Sequence, residues 1–165
     1  MSSKSLCGQS NKDIALNSSL PPTRRSLPIA LIRAREQAMQ PIREMLAATG
    51  LTEQQWRVLR VLAEAGPIDA TKLSDRAGLL LPSLTRIARS MSQKGLITRQ
   101  SDPKDRRRQV LAITPVGQRI IADNHVHALR IVDGFKDRIG AEKYEQLLDL
   151  LEAFSAASDR DNTDS

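Results

Sequence analysis

Arginine and lysine are the residues here whose type and spacing could do chemistry. Eleven of the chain's 25 basic residues fall between Ala70 and Arg119, where only three acids stand, Asp75, Asp102 and Asp105. That window carries +8 against +6 for the whole chain, so everything outside it sums to −2. Guanidinium and ammonium groups concentrated on one short module are the electrostatic footprint of a phosphate-backbone binder. The residues of catalysis are not arranged for work. No nucleophile–base pair, phosphate-gripping glycine loop or metal cluster occurs at usable spacing. His125 and His127 are two apart and diverge on a helix, so they make no metal pair. Cys7 is the one cysteine, which leaves no disulfide and no cysteine zinc site, and with no helix end or base expected beside it to stabilise a thiolate it reads as an incidental surface thiol. No catalytic residue, metal or cofactor is expected, and the chain is not expected to be an enzyme.

Composition narrows the polyanion. The four aromatic residues are Trp56, Phe135, Tyr144 and Phe154, too few to make the stacking platforms of single-strand or RNA binders. Duplex DNA is the expected partner. No apolar run approaches the roughly 20 residues of a membrane span, and the first residues lack a signal-peptide core. A cytoplasmic location, on the nucleoid and away from membranes, is expected.

The elements that must position the cations lie between residues 67 and 114. Asp69 caps a helix that runs to Ala77, with Gly78 as its left-handed stop. Leu79 and Leu80 fill a turn, and Pro82 takes the first position of a second helix ending at Lys94-Gly95. Helical spacing puts Leu84, Ile87, Ala88 and Met91 on a buried face and Thr85, Arg86, Arg89 and Gln93 on the other. Two strands are expected at 96–100 and 109–113. The intervening SDPKDRRR, with turn chemistry at Pro103 and Asp105, forms a hairpin tip carrying Lys104, Arg106, Arg107 and Arg108. A basic helix followed directly by a basic hairpin is a winged helix-turn-helix.

The flanks read as helices around this module. Residues 1–24 form a polar, disordered tail. Residues 25–66 hold two N-terminal helices for dimerisation and an effector cleft. The first opens at Ser26, a candidate N-cap, and Pro41 should kink it or end its first half. Arg35 falls inside that helix's apolar face. An internal salt bridge, a stem snorkelling to water and an anchor for a carboxylate ligand all answer to that position. Thr52 and Gln55 form a capping box for the second helix, in which Trp56 is a core residue whose indole N–H wants a partner. Residues 115–157 supply C-terminal helices, the first running to about Phe135. They are more apolar than this module can cover, which implies subunit association. Residues 158–165 are an acidic, disordered tail. The expected fold is mainly α with a small β-hairpin wing: a winged helix-turn-helix flanked by N- and C-terminal dimerisation helices.

The stretches Gly95-Leu96-Ile97-Thr98-Arg99, Asp102-Pro103-Lys104-Asp105-Arg106-Arg107 and Ile113-Thr114-Pro115-Val116-Gly117 resemble the MarR family of winged-helix regulators over about residues 26–155. The segments SLPIALIRAREQAM and GLTEQQWRVLRVL look like its homoprotocatechuate-degradation branch, concerned with aromatic catabolism. The resemblance implies an intertwined homodimer, a second motif helix in the major groove and a wing in the minor groove. On it, Pro82, Ser83, Thr85 and Arg86 match the reading positions, and Arg106 and Arg107 match the wing arginines. It also implies release by a small aromatic carboxylate or phenolic effector. Ser26, Arg35, Met39 and Trp56 are the candidate effector residues. Leu81 departs from the pattern, since relatives often carry a basic or polar side chain there. What it could offer is an apolar contact with a thymine methyl.

The expected function is a dimeric, sequence-specific repressor on an inverted-repeat operator, with Arg89 and Arg108 adding DNA contacts. The regulated operon is expected to serve aromatic degradation. The alternatives are a regulator of efflux or stress genes with a different phenolic effector, and an effector-insensitive DNA-binding protein.

Overall fold

The structure is a computed structural model that describes residues 22–101 and 108–161, with side chains as far as residue 157. The chain forms two compact units, Met1–Ala38 and Met39–Ser165. In the first, a 3-10 turn at Thr23–Arg25 leads into helix α1, Leu27–Leu46, whose last turns belong to the second unit. Ser26 is extended (φ −73°, ψ 119°), and its carbonyl accepts the Ala30 amide at 2.9 Å, the backbone geometry of an N-cap. Pro41 lies inside α1 and does not end it. Proline removes a single amide donor, and the good helix formers around it carry the helix on.

In the second unit, polar caps set where the helices start and stop. The Thr52 amide donates to Gln55 Oε1 at 3.1 Å and the Gln55 amide to Thr52 Oγ1 at 3.2 Å, the expected capping box opening α2, Glu53–Ala65. Asp69 Oδ1 accepts the Lys72 amide at 3.0 Å to open α3, Ala70–Ala77. Gly78 closes it in the left-handed region (φ 59°, ψ 48°). Helix α4 spans Leu81–Gln93, so it begins one residue earlier than expected, with Pro82 in its first turn but not at its first position.

The hairpin strands, expected at 96–100 and 109–113, lie at Ile97–Ser101 and Gln109–Ile113, and a third strand, Ile68–Asp69, joins them. Numbered in chain order, the antiparallel sheet runs β1-β3-β2, with Ile68 and Arg99 both opposite Leu111. The two-residue β1 had no alternating pattern to reveal it, being too short to show one. Helix α5, Pro115–Ile139, runs a turn beyond the expected end, to the positive-φ Gly140, and α6 spans Ala141–Asp161.

Two apolar clusters hold this unit. Val58, Leu59, Leu62, Leu73, Leu84, Met91, Ile97 and Leu111 are each at most 2% exposed and join α2, α3, α4 and the sheet. Burying each such side chain stabilises by about 1.5–3 kcal/mol. The second cluster, Met45, Leu46, Trp56 and Ile131, joins the end of α1 to α2 and α5. Among its described side chains, helix α6 has no buried residue to match. It meets α5 through Lys136 Nζ, 3.1 Å from Glu145 Oε1 and 5.3 Å from the Tyr144 ring centre. Leu147, Leu148, Leu150, Leu151 and Phe154 stay 37–69% exposed.

Candidate nucleic-acid interface and effector cavity

Helix α4 separates its chemistry by face. Leu84, Ile87, Ala88 and Met91 are buried, while Pro82, Thr85, Arg86 and Arg89 are exposed and Ser83 is half-buried. The 3.6-residue period sorts them so, because the apolar set recurs at three- and four-residue steps. The N-cap is Leu80, which offers no side-chain acceptor. First-turn amides therefore remain for an outside acceptor, at the helix end that carries partial positive charge.

The sheet brings further cations to the same region. Arg99 on β2 donates from Nη2 to Gln109 Oε1 at 2.7 Å, while its Nε is buried without a protein partner. Arg108 is exposed and immediately precedes β3. Together with Asp69, Lys72, Leu81 and Thr85, these side chains line a cavity of about 520 Å³. The structure thus brings Thr85, on α4, and Arg108, at the wing base, to one cavity. Lys104, Arg106 and Arg107 lie outside the described residues.

Thr114 ties the hairpin to α5 by hydrogen bonds. Thr114 Oγ1 shares its proton between the Gly95 and Leu96 carbonyls, at 2.7 and 3.0 Å, and accepts the Gly117 amide at 3.2 Å. Thr114 is therefore both the N-cap of α5 and the latch closing the hairpin onto the end of α4.

A second cavity, of about 400 Å³, lies between α2 and α5. Trp56, Ile121, Leu129 and Val132 form apolar wall, with Arg60, Glu64 and His125 supplying charge and hydrogen-bonding groups. Of the four residues expected to bind an effector, this cavity takes in Trp56, which is 4% exposed. Met39 is half-buried, and Ser26 and Arg35, half-buried and exposed, belong to the first unit. Arg60 and His125 are the residues that sequence reasoning missed. Arg60 stands four residues after Trp56, a spacing that puts both on one side of a helix, whereas nothing local to His125 links it to α2. An apolar slot with an aromatic wall, a guanidinium and an imidazole can hold a small aromatic acid.

Comparison with known proteins gives the same kind of molecule. Residues 51–108 match the model of the MarR family. The homoprotocatechuate degradative operon repressor of Escherichia coli is 39% identical over 131 residues, covering 79% of this chain and 88% of that protein. The crystal structure of NadR in complex with 4-hydroxyphenylacetate is 34% identical with a TM-score of 0.72, covering 83% of this chain and 97% of NadR. The transcriptional repressor CouR, bound to a 23-mer DNA duplex, is 27% identical with a TM-score of 0.72, covering 84% of this chain and 99% of CouR. Among the described residues, no helix is long and apolar enough to cross a membrane.

Proposed function

We propose that this chain, which belongs to the MarR family of DNA-binding transcription regulators, is a homodimeric repressor of an aromatic-degradation operon. It holds an inverted-repeat operator on the cytoplasmic nucleoid and releases it when a small aromatic acid binds. The observation that carries this reading is the division of α4, buried on its leucine–isoleucine side and exposed at Thr85, Arg86 and Arg89. A helix so divided, beside a basic wing, fits a major groove with the wing in the neighbouring minor groove. Pro82, Ser83, Thr85, Arg86 and Arg89 form the major-groove set. Lys104, Arg106, Arg107 and Arg108 form the wing set, suited to a narrow, A·T-rich minor groove.

The exposed leucines of α6 support the dimer, because an apolar patch of that length is otherwise a liability in water. Two-fold symmetry then requires an inverted repeat. The cavity beside Trp56 and Arg60 supports the effector, as does the 4-hydroxyphenylacetate bound in the NadR structure. The name of the Escherichia coli relative supports the operon class. Arg35 is a further candidate anchor for the effector's carboxylate.

The test begins by selecting a duplex from a random pool with the purified chain and titrating it by fluorescence anisotropy. Two chains should bind per inverted repeat. A panel of aromatic acids including 4-hydroxyphenylacetate and homoprotocatechuate should contain one that raises the operator Kd by about 5- to 150-fold, the usual range of allosteric coupling. Failure to enrich any duplex overturns the DNA reading; enrichment with no response to the panel overturns the effector reading alone.

A further inference from the structure

The leading edge of α4 is apolar where a polar reader is the usual expectation. Leu80, the N-cap, is 78% exposed, and Leu81, the first helical residue, is 43% exposed. Neither belongs to the core cluster, which takes Leu84, Ile87, Ala88 and Met91 from the same helix. Pro82 beside them offers no amide proton. Thr85, one turn on from Leu81, donates its hydroxyl proton to the Leu81 carbonyl at 2.9 Å. With that donor committed to the backbone, what Thr85 chiefly adds to this edge is a methyl group and acceptor lone pairs. Leu81 and Thr85 line one cavity with the cations Lys72 and Arg108.

Two large apolar side chains exposed among so many cations call for an occupant that is anionic overall and apolar at one point. Duplex DNA answers to that description. Its phosphates suit the cations, and the major-groove edge carries one apolar group, the thymine C5-methyl. We infer that Leu80 and Leu81 read thymine methyl groups, so that operator specificity at the start of α4 is set by van der Waals contact and not by hydrogen bonds. Arg86 and Arg89, further along the helix, are left to guanine edges or phosphates. This inference rests on the DNA-binding reading above and adds a base preference to it: thymine at the positions facing the helix N-terminus in both half-sites.

The test uses the full-length protein and the selected operator. Each thymine is replaced in turn by deoxyuridine, which deletes the methyl and leaves every hydrogen-bonding group in place. At least one position in each half-site should lose roughly three- to fivefold in affinity, as expected for one buried methyl. Leu81→Ala and Leu80→Ala should bind the thymine operator correspondingly more weakly. At least one of them should no longer distinguish thymine from deoxyuridine at that position. Both side chains are exposed, so unchanged thermal melting is expected and keeps the comparison free of misfolding. An operator that binds normally while every deoxyuridine is tolerated overturns the inference and leaves the DNA reading intact. So do variants that keep full methyl sensitivity, or a flat scan in which Leu81→Ala instead lowers the assembly mass in sedimentation, since the leucines then serve a protein contact. Absence of binding to any duplex overturns both readings together.

Discussion

Arg99 reaches diagonally across the hairpin to Gln109, Nη2 to Oε1 at 2.7 Å, on the sheet face that also carries Ile97, Leu111 and Ile113. The register pairs Ser101 with Gln109 and Arg99 with Leu111, so the contact braces the last rungs before the wing loop. The Nε of the same guanidinium is buried without a protein partner. A buried unsatisfied donor costs about 1–3 kcal/mol, and a hydrogen bond returns about 0.5–1.5 kcal/mol. Arg99→Met removes both and keeps the apolar stem. It should therefore melt within about 4 °C of the wild type. Operator affinity should fall about three- to tenfold as the wing base loosens, with little change in its dependence on salt. A clearly shallower salt slope would mean that Arg99 meets a phosphate directly.

Arg107 should behave in the opposite way. Its proposed place is the wing tip, among phosphates, where each neutralised phosphate contributes about 0.9 to the slope of log K against log salt. Arg107→Ala should weaken binding across operators and make the slope shallower by about that amount for every phosphate the guanidinium neutralises. An unchanged slope across a salt titration removes Arg107 from the interface.

The positions of these residues were partly written in the sequence. Thr52 with Gln55, Asp69, Gly78 and Thr114 act within a turn of their own position, so local pattern sufficed to place α2, α3 and α5. The α4 period was equally legible, since Leu84, Ile87, Ala88 and Met91 follow one helical face. What escaped needed tertiary knowledge. Strand β1 owes its existence to pairing with Val110 and Leu111, more than 40 residues away. The Trp56–Arg60–His125 cavity forms only when α5 packs across α2.

Gly117 marks where α5 approaches the hairpin too closely for a side chain. A Cβ there would stand 2.5 Å from the Leu96 carbonyl oxygen, 2.8 Å from Ile113 Cγ1 and 3.2 Å from Leu59 Cδ2. The nearest of these is backbone, and it already accepts from Thr114, so it has little freedom to yield. Gly117→Ala should cost about 3 kcal/mol, the upper end for overpacking. That corresponds to a fall of roughly 6–12 °C in Tm for a chain of this size. Gly134→Ala, in open space on the same helix, is the control and should melt no lower than the wild type. Equal melting of the two variants would show that the hairpin yields where this packing says it cannot.

Lys136 should make the α5–α6 junction sensitive to alkali. The Glu145 hydrogen bond, reinforced by its charge, holds the ammonium above its ordinary pKa of 10.5. A lysine pKa raised by folding contributes stability that is fully present below the unfolded value and is lost as pH rises through the folded one. The wild type should thus melt above Lys136→Met by a constant margin from pH 7 to about 10, and the margin should shrink above about 10.5. The pair is solvent-accessible, so the margin itself should be small. A gap between the two curves that is still undiminished at about pH 11.5 would assign the stabilisation to the lysine stem and not to its charge.

Trp56 offers a direct reading of the effector cavity, because it is the chain's one tryptophan and lies in that cavity's wall. An aromatic acid seated there, its carboxylate on Arg60, must change the indole's surroundings. Titration with an inducing acid should shift or quench the emission with the same midpoint that releases the operator. Arg60→Ala should raise that midpoint about tenfold or more, the scale of a lost charge-assisted hydrogen bond, and leave operator affinity without acid close to wild type. Arg35→Ala, made in parallel, should blunt release in the same way if Arg35 also holds the carboxylate, and leave it untouched if it does not. Operator release with no change in Trp56 emission would place the effector away from the α2–α5 cavity.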